Sequence, residues 1–150
     1  MNLHEDEFSH WHGDMEAQYV YTAGISGERF FRELRDNGKM MGTHCSECGV
    51  TYLPPRMYCE KCFSELDEWK EVPLEGKVIA HTIVHVDIDE KRLDKPYVIG
   101  FIRINGTQGG LVHYINAKKA AVRNGMRVKV VLRDQRVGSI LDIEHFEPIE

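Results

Sequence analysis

A chain of 150 residues with 42% apolar and 29% charged side chains can fill one ordinary domain, or two small modules sharing a core. Its net charge of −5 is unevenly spread: 3 basic and 8 acidic residues over 1–38 give −5, 4 and 7 over 39–75 give −3, and 12 and 9 over 76–150 give +3. Nucleic-acid binding draws most of its affinity from a concentrated basic face, and no such concentration exists here.

No apolar run reaches membrane-spanning length; the longest, Tyr97 to Ile102, is interrupted by Gly100. The acidic, His-rich start has no stretch that could serve as a secretory signal, so a cytoplasmic protein is expected. Residues 1–25 carry scattered aromatics (Phe8, Trp11, Tyr19 and Tyr21) and little periodicity. They read as a flexible or partner-docking arm.

A helix is predicted from Ser26 to Asn37, with Ser26 as N-cap and Asn37-Gly38 as its stop. Phe30, Phe31 and Leu34 form its apolar stripe. Two adjacent Phe side chains exceed what a small module needs, which makes Phe30, Phe31 and Trp11 candidates for a partner interface.

The span from Lys39 to Val72 reads as short strands and tight turns around four cysteines. Cys45, Cys48, Cys59 and Cys62 follow a C-x2-C-x10-C-x2-C pattern. Each C-x2-C forms a knuckle that places two thiolates on one side, and two knuckles can close a tetrahedron around a metal. Gly49 suits the backbone of the first knuckle, whereas Phe63 stands at the corresponding place in the second. Disulfides do not suit a chain without a secretory signal, and a thioredoxin-like dithiol would need a βαβ context. Structural zinc is the expectation; iron satisfies the same spacing. With all four thiols as ligands, no cysteine is left to act as a nucleophile.

From Gly76 the period becomes two. Val78, Ala80, Thr82, Val84, Val86 and Ile88 are expected on one face of a long strand. Strands over 97–105, 111–115, 127–133 and 139–146, with one short helix over 117–124, complete a five-stranded OB-type order. The predicted organisation is an arm over 1–25, a helix plus ribbon over 26–74, and an OB-fold over 75–150. The fold class is mostly β.

Other candidates carry weaker signals. His81 and His85 share a strand face without an acidic partner, His113 is ambiguous, and His44 abuts a shell that four thiolates already complete. His4, His10 and His12 offer at most adventitious metal binding. Lys118, Lys119, Arg123 and Arg127 cluster around the predicted short helix, either as a solvated end or as an anion cradle. There is no dinucleotide fingerprint, phosphate loop, nucleophile elbow or zincin motif.

Certain runs resemble a known family. Phe30-Phe31-Arg32-Glu33-Leu34, Gly38-Lys39 and Cys45-Ser46-Glu47-Cys48-Gly49 are similar to its N-terminal helix entering a rubredoxin-like zinc ribbon. Pro54-Pro55-Arg56 before Cys59-Glu60-Lys61-Cys62 is similar to its link between knuckles. Thr82-Ile83-Val84-His85, Lys95-Pro96-Tyr97, Gly125-Met126 and Phe146-Glu147-Pro148 resemble marks along its OB-fold. The family comprises zinc-ribbon plus OB-fold proteins found beside thiolase-superfamily enzymes, long described as a domain of unknown function. The resemblance covers about residues 28 to 149.

It implies a non-catalytic accessory subunit that binds a thiolase, a thiolase-like aldolase or a hydroxymethylglutaryl-CoA synthase and helps shape the acyl-CoA site. Some relatives serve degradation of steroid side chains or aromatic compounds. The implied cofactors are structural Zn2+ and a CoA thioester at a site shared with the partner, with Lys118, Lys119 and Arg123 as candidates for the CoA phosphates. The competing class is a nucleic-acid-binding OB module with a zinc ribbon.

Overall fold

The computed structural model describes residues 21–149. One helix, α1 (Gly24–Asn37), leads into a four-stranded sheet made from β1 (Met40–Cys45), β2 (Val50–Leu53), β3 (Glu68–Val72) and the two-residue β6 (Gln108–Gly109), in the order β3-β1-β2-β6. The remaining strands are β4 (Glu75–Val86), β5 (Arg92–Ile104), β7 (Leu111–Ile115), β8 (Arg127–Leu132) and β9 (Ile143–Pro148). They close a barrel in the order β4-β5-β7-β9-β8. The mostly β architecture and the five-stranded OB order are those expected from the sequence.

Helix α1 begins two residues before the predicted cap. Ala23 stands at the N-cap without a side-chain bond, and Ser26 lies inside the first turn. Residues 23–25 are exposed, so water can satisfy the first N–H groups. The stop falls where Asn37-Gly38 places it: Gly38 is left-handed and its N–H reaches the Leu34 carbonyl at 3.1 Å. Phe30 and Leu34 enter the main core with Met40, Leu53 and Val72 of the ribbon and with Val78, Ile102, Val128 and Phe146 of the barrel. Burying a side chain of this size is worth about 1.5–3 kcal/mol. The helix, ribbon and barrel therefore share one core.

Strand β4 departs from simple alternation. Its register against β5 shifts between Val78 and Ala80, where Ile79 bulges out. Val78 is buried opposite Ile102, but beyond the bulge Ala80 and Thr82 point outward and Ile83, opposite Val98, takes the inner side. Val86 and Ile88 are exposed rather than buried. One extra residue reverses the faces of everything after it.

Two further corrections concern the C-terminal half. The helix predicted over 117–124 is a single 3-10 turn, Lys119–Ala121. Its segment is pinned at both ends, by Asn116 N–H to the Phe146 carbonyl and Gly125 N–H to the Val78 carbonyl, so two turns of α-helix have no room to nucleate. The strand predicted from Ser139 instead opens with a 3-10 turn, Ile140–Asp142, under a capping box made by Ser139 and Asp142.

Asp142 is almost fully buried, and its carboxylate accepts backbone N–H bonds from Val137 (2.9 Å), Gly138 (2.7 Å) and Ser139 (3.2 Å). Burial alone would raise its pKa, but these three bonds outweigh it and hold the carboxyl below its usual value. A depressed folded pKa stabilises the fold above the unfolded value of about 3.9 and is lost as pH falls through the folded value. Asp142→Ala should cost roughly 2–3 kcal/mol in urea unfolding at neutral pH. The loss should shrink below pH 4; an equal loss at pH 7 and pH 3 would contradict the assignment.

Candidate metal centre

The two knuckles sit at the far end of the ribbon sheet. Cys45 ends β1, Cys48 precedes β2, and Cys59 and Cys62 bracket a turn closed by the Phe63 N–H bond to the Cys59 carbonyl at 3.0 Å. The first knuckle closes identically, Gly49 N–H to the Cys45 carbonyl at 2.8 Å. All four Sγ atoms lie within 4.8 Å of one another, with Cys45 and Cys62 sulfurs 3.5 Å apart. A tetrahedral zinc with bonds of about 2.3 Å sets its sulfurs about 3.8 Å apart, so this donor set fits the ion with little adjustment.

The sulfurs have their own hydrogen-bonding shell, which the spacing alone does not reveal. Buried Tyr52 places its hydroxyl 3.4 Å from Cys59 Sγ, and the Lys61 N–H donates to the same sulfur at 3.4 Å. Ser64 Oγ lies 2.8 Å from Cys62 Sγ and 3.7 Å from Cys45 Sγ. The Tyr52 bond is the leading cause that pulls the Cys59 thiol down to about 6, and the same bond pushes Tyr52 itself up to about 12. Cys48 is pushed up to about 12, first by its bond with Cys62 and then by burial. Donors aimed at ligand sulfurs stabilise thiolates and orient them. The sequence signal was faint: a tyrosine in a strand before Cys59 and a serine two residues after Cys62.

Other sequence candidates fall elsewhere. His44 bonds Thr51 Oγ1 at 2.9 Å and is not part of the four-sulfur group. His81 is exposed and meets Asn124 at 3.0 Å; His85 is exposed. His113 is buried: its Nε2–H donates to the Ile140 carbonyl at 3.2 Å, and the Tyr114 N–H donates to its Nδ1 at 2.9 Å. That arrangement fixes a neutral ring, and burial lowers its pKa accordingly. Lys118, Lys119 and Arg123 are exposed around the 3-10 turn and have none of the ion pairs found among the described residues.

The interface candidates divide. Phe30 is 3% exposed, so its ring is used inside the chain's own core and is not free for a partner. Phe31 is half-buried against that core and lines a groove of about 360 Å³ with Phe30, Pro54, Pro55, Met57 and Ile140. Trp11 lies outside the described residues, as do Phe8, Tyr19, His4, His10 and His12.

Two family models match in tandem, the ChsH2 rubredoxin-like zinc ribbon domain over residues 32–68 and the ChsH2 C-terminal OB-fold domain over residues 69–133. A DUF35 domain-containing scaffold protein of Methanocaldococcus jannaschii is 31% identical over 128 residues, spanning 81% of this chain and 90% of that protein. Another, of Methanothermobacter thermautotrophicus, is 22% identical over 110 residues, 72% of this chain and 82% of that one. Among solved structures, a protein of unknown function from the DUF35 family of Sulfolobus solfataricus superposes with a TM-score of 0.63 at 35% identity, over 72% of this chain and 78% of that chain. The Ltp2-ChsH2(DUF35) aldolase superposes with a TM-score of 0.58 at 17% identity, over 81% and 93%, a likeness of fold alone.

Replacing one ligand tests the centre. Cys48→Ser should lower the metal content from one ion per chain and reduce thermal stability, because site formation is linked to folding. Elemental analysis of the purified variant against wild type reads this directly; wild-type protein that is folded and metal-free would contradict it.

Proposed function

We propose, for a chain that belongs to the DUF35 family of zinc-ribbon and OB-fold proteins, the role of a zinc-binding accessory scaffold that docks on a thiolase-superfamily enzyme acting on acyl-CoA thioesters. The observation that carries this reading is the outer face of the barrel over β4, β5 and β7. Ala80, Thr82 and Val84 stand opposite Phe101, Ile99 and Tyr97 there, and Phe101 and Ile99 stand opposite Val112 and Tyr114. Paired residues share a face, so these eight positions form one outward surface without a charge.

The same barrel supplies the contrast. Around β8 and its neighbours the outward positions are charged and paired, with Lys129 on Glu147 at 2.9 Å and Arg127 on Glu75 at 3.3 Å. Val112 is 66% exposed, and Tyr97 and Tyr114 pack edge to face at 5.3 Å. A contiguous apolar face of this kind marks a contact surface on a water-soluble scaffold. Ile140 extends it: that residue borders both the notch beside Val112 and the groove at Phe31.

Other features support the reading. The four thiols converge on one centre, so the nucleophilic thiolate of thiolase chemistry would come from the partner. Lys118, Lys119 and Arg123 are the candidate contacts to CoA phosphates, and an acyl group of aromatic or steroid origin is the substrate class that the family resemblance implies. No helix among the described residues is long and apolar enough to cross a membrane, and we place the complex in the cytoplasm. The nucleic-acid alternative draws on the aromatics of β5 and β7, where OB-folds stack bases. It is the weaker reading on charge, since the eight positions hold no cation, only the Lys77–Arg103 pair adjoins them on that face, and the chain carries a net charge of −5.

Co-purification from the native cells, followed by co-expression with the recovered thiolase-superfamily subunit, should yield one species on size exclusion. Val112→Glu should weaken that complex at least tenfold and leave the isolated chain's stability within about 0.5 kcal/mol. Full activity of the enzyme without this chain, or turnover by this chain alone, would contradict the role.

A further inference from the structure

Three cations stand in one row across the barrel. Lys77 of β4 lies directly opposite Arg103 of β5 on one side and Arg127 of β8 on the other. All three side chains are exposed, next to the inward-facing Val78, Ile102 and Val128. Like charges set directly opposite each other on a sheet destabilise it. Glu75 relieves Arg127, at 3.3 Å, and leaves the row with two positive charges in surplus. Lys77 and Arg103 enter none of the ion pairs among the described residues.

The two surplus cations also share a concavity. Lys77 and Arg103 line a notch of about 210 Å³ with Ile79, Asn105, Gly106 and Thr107. Its walls are fixed by the backbone. Arg103 Nε–H donates to the Gly109 carbonyl at 3.3 Å, Asn105 N–H to the Glu75 carbonyl at 2.9 Å, and Thr107 Oγ1 to the Ile104 carbonyl at 2.9 Å. The first of these bonds orients the guanidinium, and an oriented guanidinium beside an ammonium is a donor set suited to phosphate. The notch is smaller than the roughly 300 Å³ at which pockets for drug-sized ligands begin. It suits one phosphate group with the rest of the molecule outside. Arg103 continues the row Tyr97, Ile99 and Phe101 along β5, so the cations border the uncharged face.

We propose that Lys77 and Arg103 bind a phosphate group of the acyl-CoA, whose acyl end then leads onto the face where the enzyme subunit docks. The choice of carrier rests on the accessory-subunit reading; the phosphate chemistry rests on the row itself. The site adds to Lys118, Lys119 and Arg123, since a CoA carries more than one phosphate group. Two neighbouring cations neutralise one such group, whereas a nucleic-acid strand requires a track of them.

Amide shifts of the isotope-labelled, metal-loaded full chain, followed by NMR, read the site directly. Pyrophosphate and coenzyme A should move residues 77–79 and 103–107, less so as salt rises, and pantetheine, which has no phosphate, should not. Lys77→Gln and Arg103→Gln should each weaken coenzyme A binding at least tenfold. Neither should lower the unfolding temperature, because each removes a like-charge contact. Unchanged affinity in both variants would overturn the inference. So would an absence of shifts in the full chain, whose acids over residues 1–20 and at Glu150 would then already cover the row. A single-stranded oligonucleotide that binds these residues more tightly than coenzyme A would overturn it as well. Failure of the enzyme complex to form on size exclusion would overturn the accessory-subunit reading and leave this phosphate site standing.

Discussion

Convergence of four thiols is the constraint on which the ribbon depends, because so little else lies at that end. The interior around the site consists of Cys45, Tyr52, Cys59 and Leu66, with Cys48 and Val50 partly buried against them. Two of those four buried residues are metal ligands. Apolar burial on this scale does not hold a module of this size together. Metal binding at comparable structural sites is worth about 10–16 kcal/mol, far more than the cluster could supply. Tyr52, Ser64 and the Lys61 N–H direct hydrogen bonds at the sulfurs, so folding delivers the ligands already oriented.

What the metal fixes, the barrel then carries. β2 pairs in parallel with β6, a two-residue strand lying between β5 and β7 of the barrel, through Tyr52 with Gln108 and Leu53 with Gly109. Gly109 is obligatory there: an added Cβ would stand 2.4 Å from the Leu53 carbonyl oxygen, and its φ is +96°. Gln108 also grips Glu60 of the second knuckle. Met40, Leu53 and Val72 of the ribbon lie in the main core with the barrel strands. The ribbon tip and the uncharged barrel face are thus held in a fixed relation, which is what a scaffold must offer a partner.

Much of this was legible in the sequence, for physical reasons. Metal ligands in knuckles are a local pattern, so Cys45, Cys48, Cys59 and Cys62 announce themselves, and Asn37-Gly38 stops a helix wherever it occurs. Non-local choices were hidden. Nothing local says that β4 bulges at Ile79, and that one residue turns Ala80 and Thr82 outward and creates the apolar face. The run 106–110 reads as a turn by composition, yet two of its residues pair with β2. Phe30 and Phe31 are equivalent in sequence; only the docking of α1 decides that Phe30 is buried and Phe31 half-buried. Asp142 resembles any loop acid until three backbone N–H groups are seen to close on it.

Hydrogen–deuterium exchange of the full chain, metal-loaded and after chelation, tests the central claim most directly. The account predicts that removing the metal abolishes protection across residues 45–66 while the amides of β5, β7 and β8 stay protected. Unchanged protection over residues 45–66 in metal-free protein would contradict it.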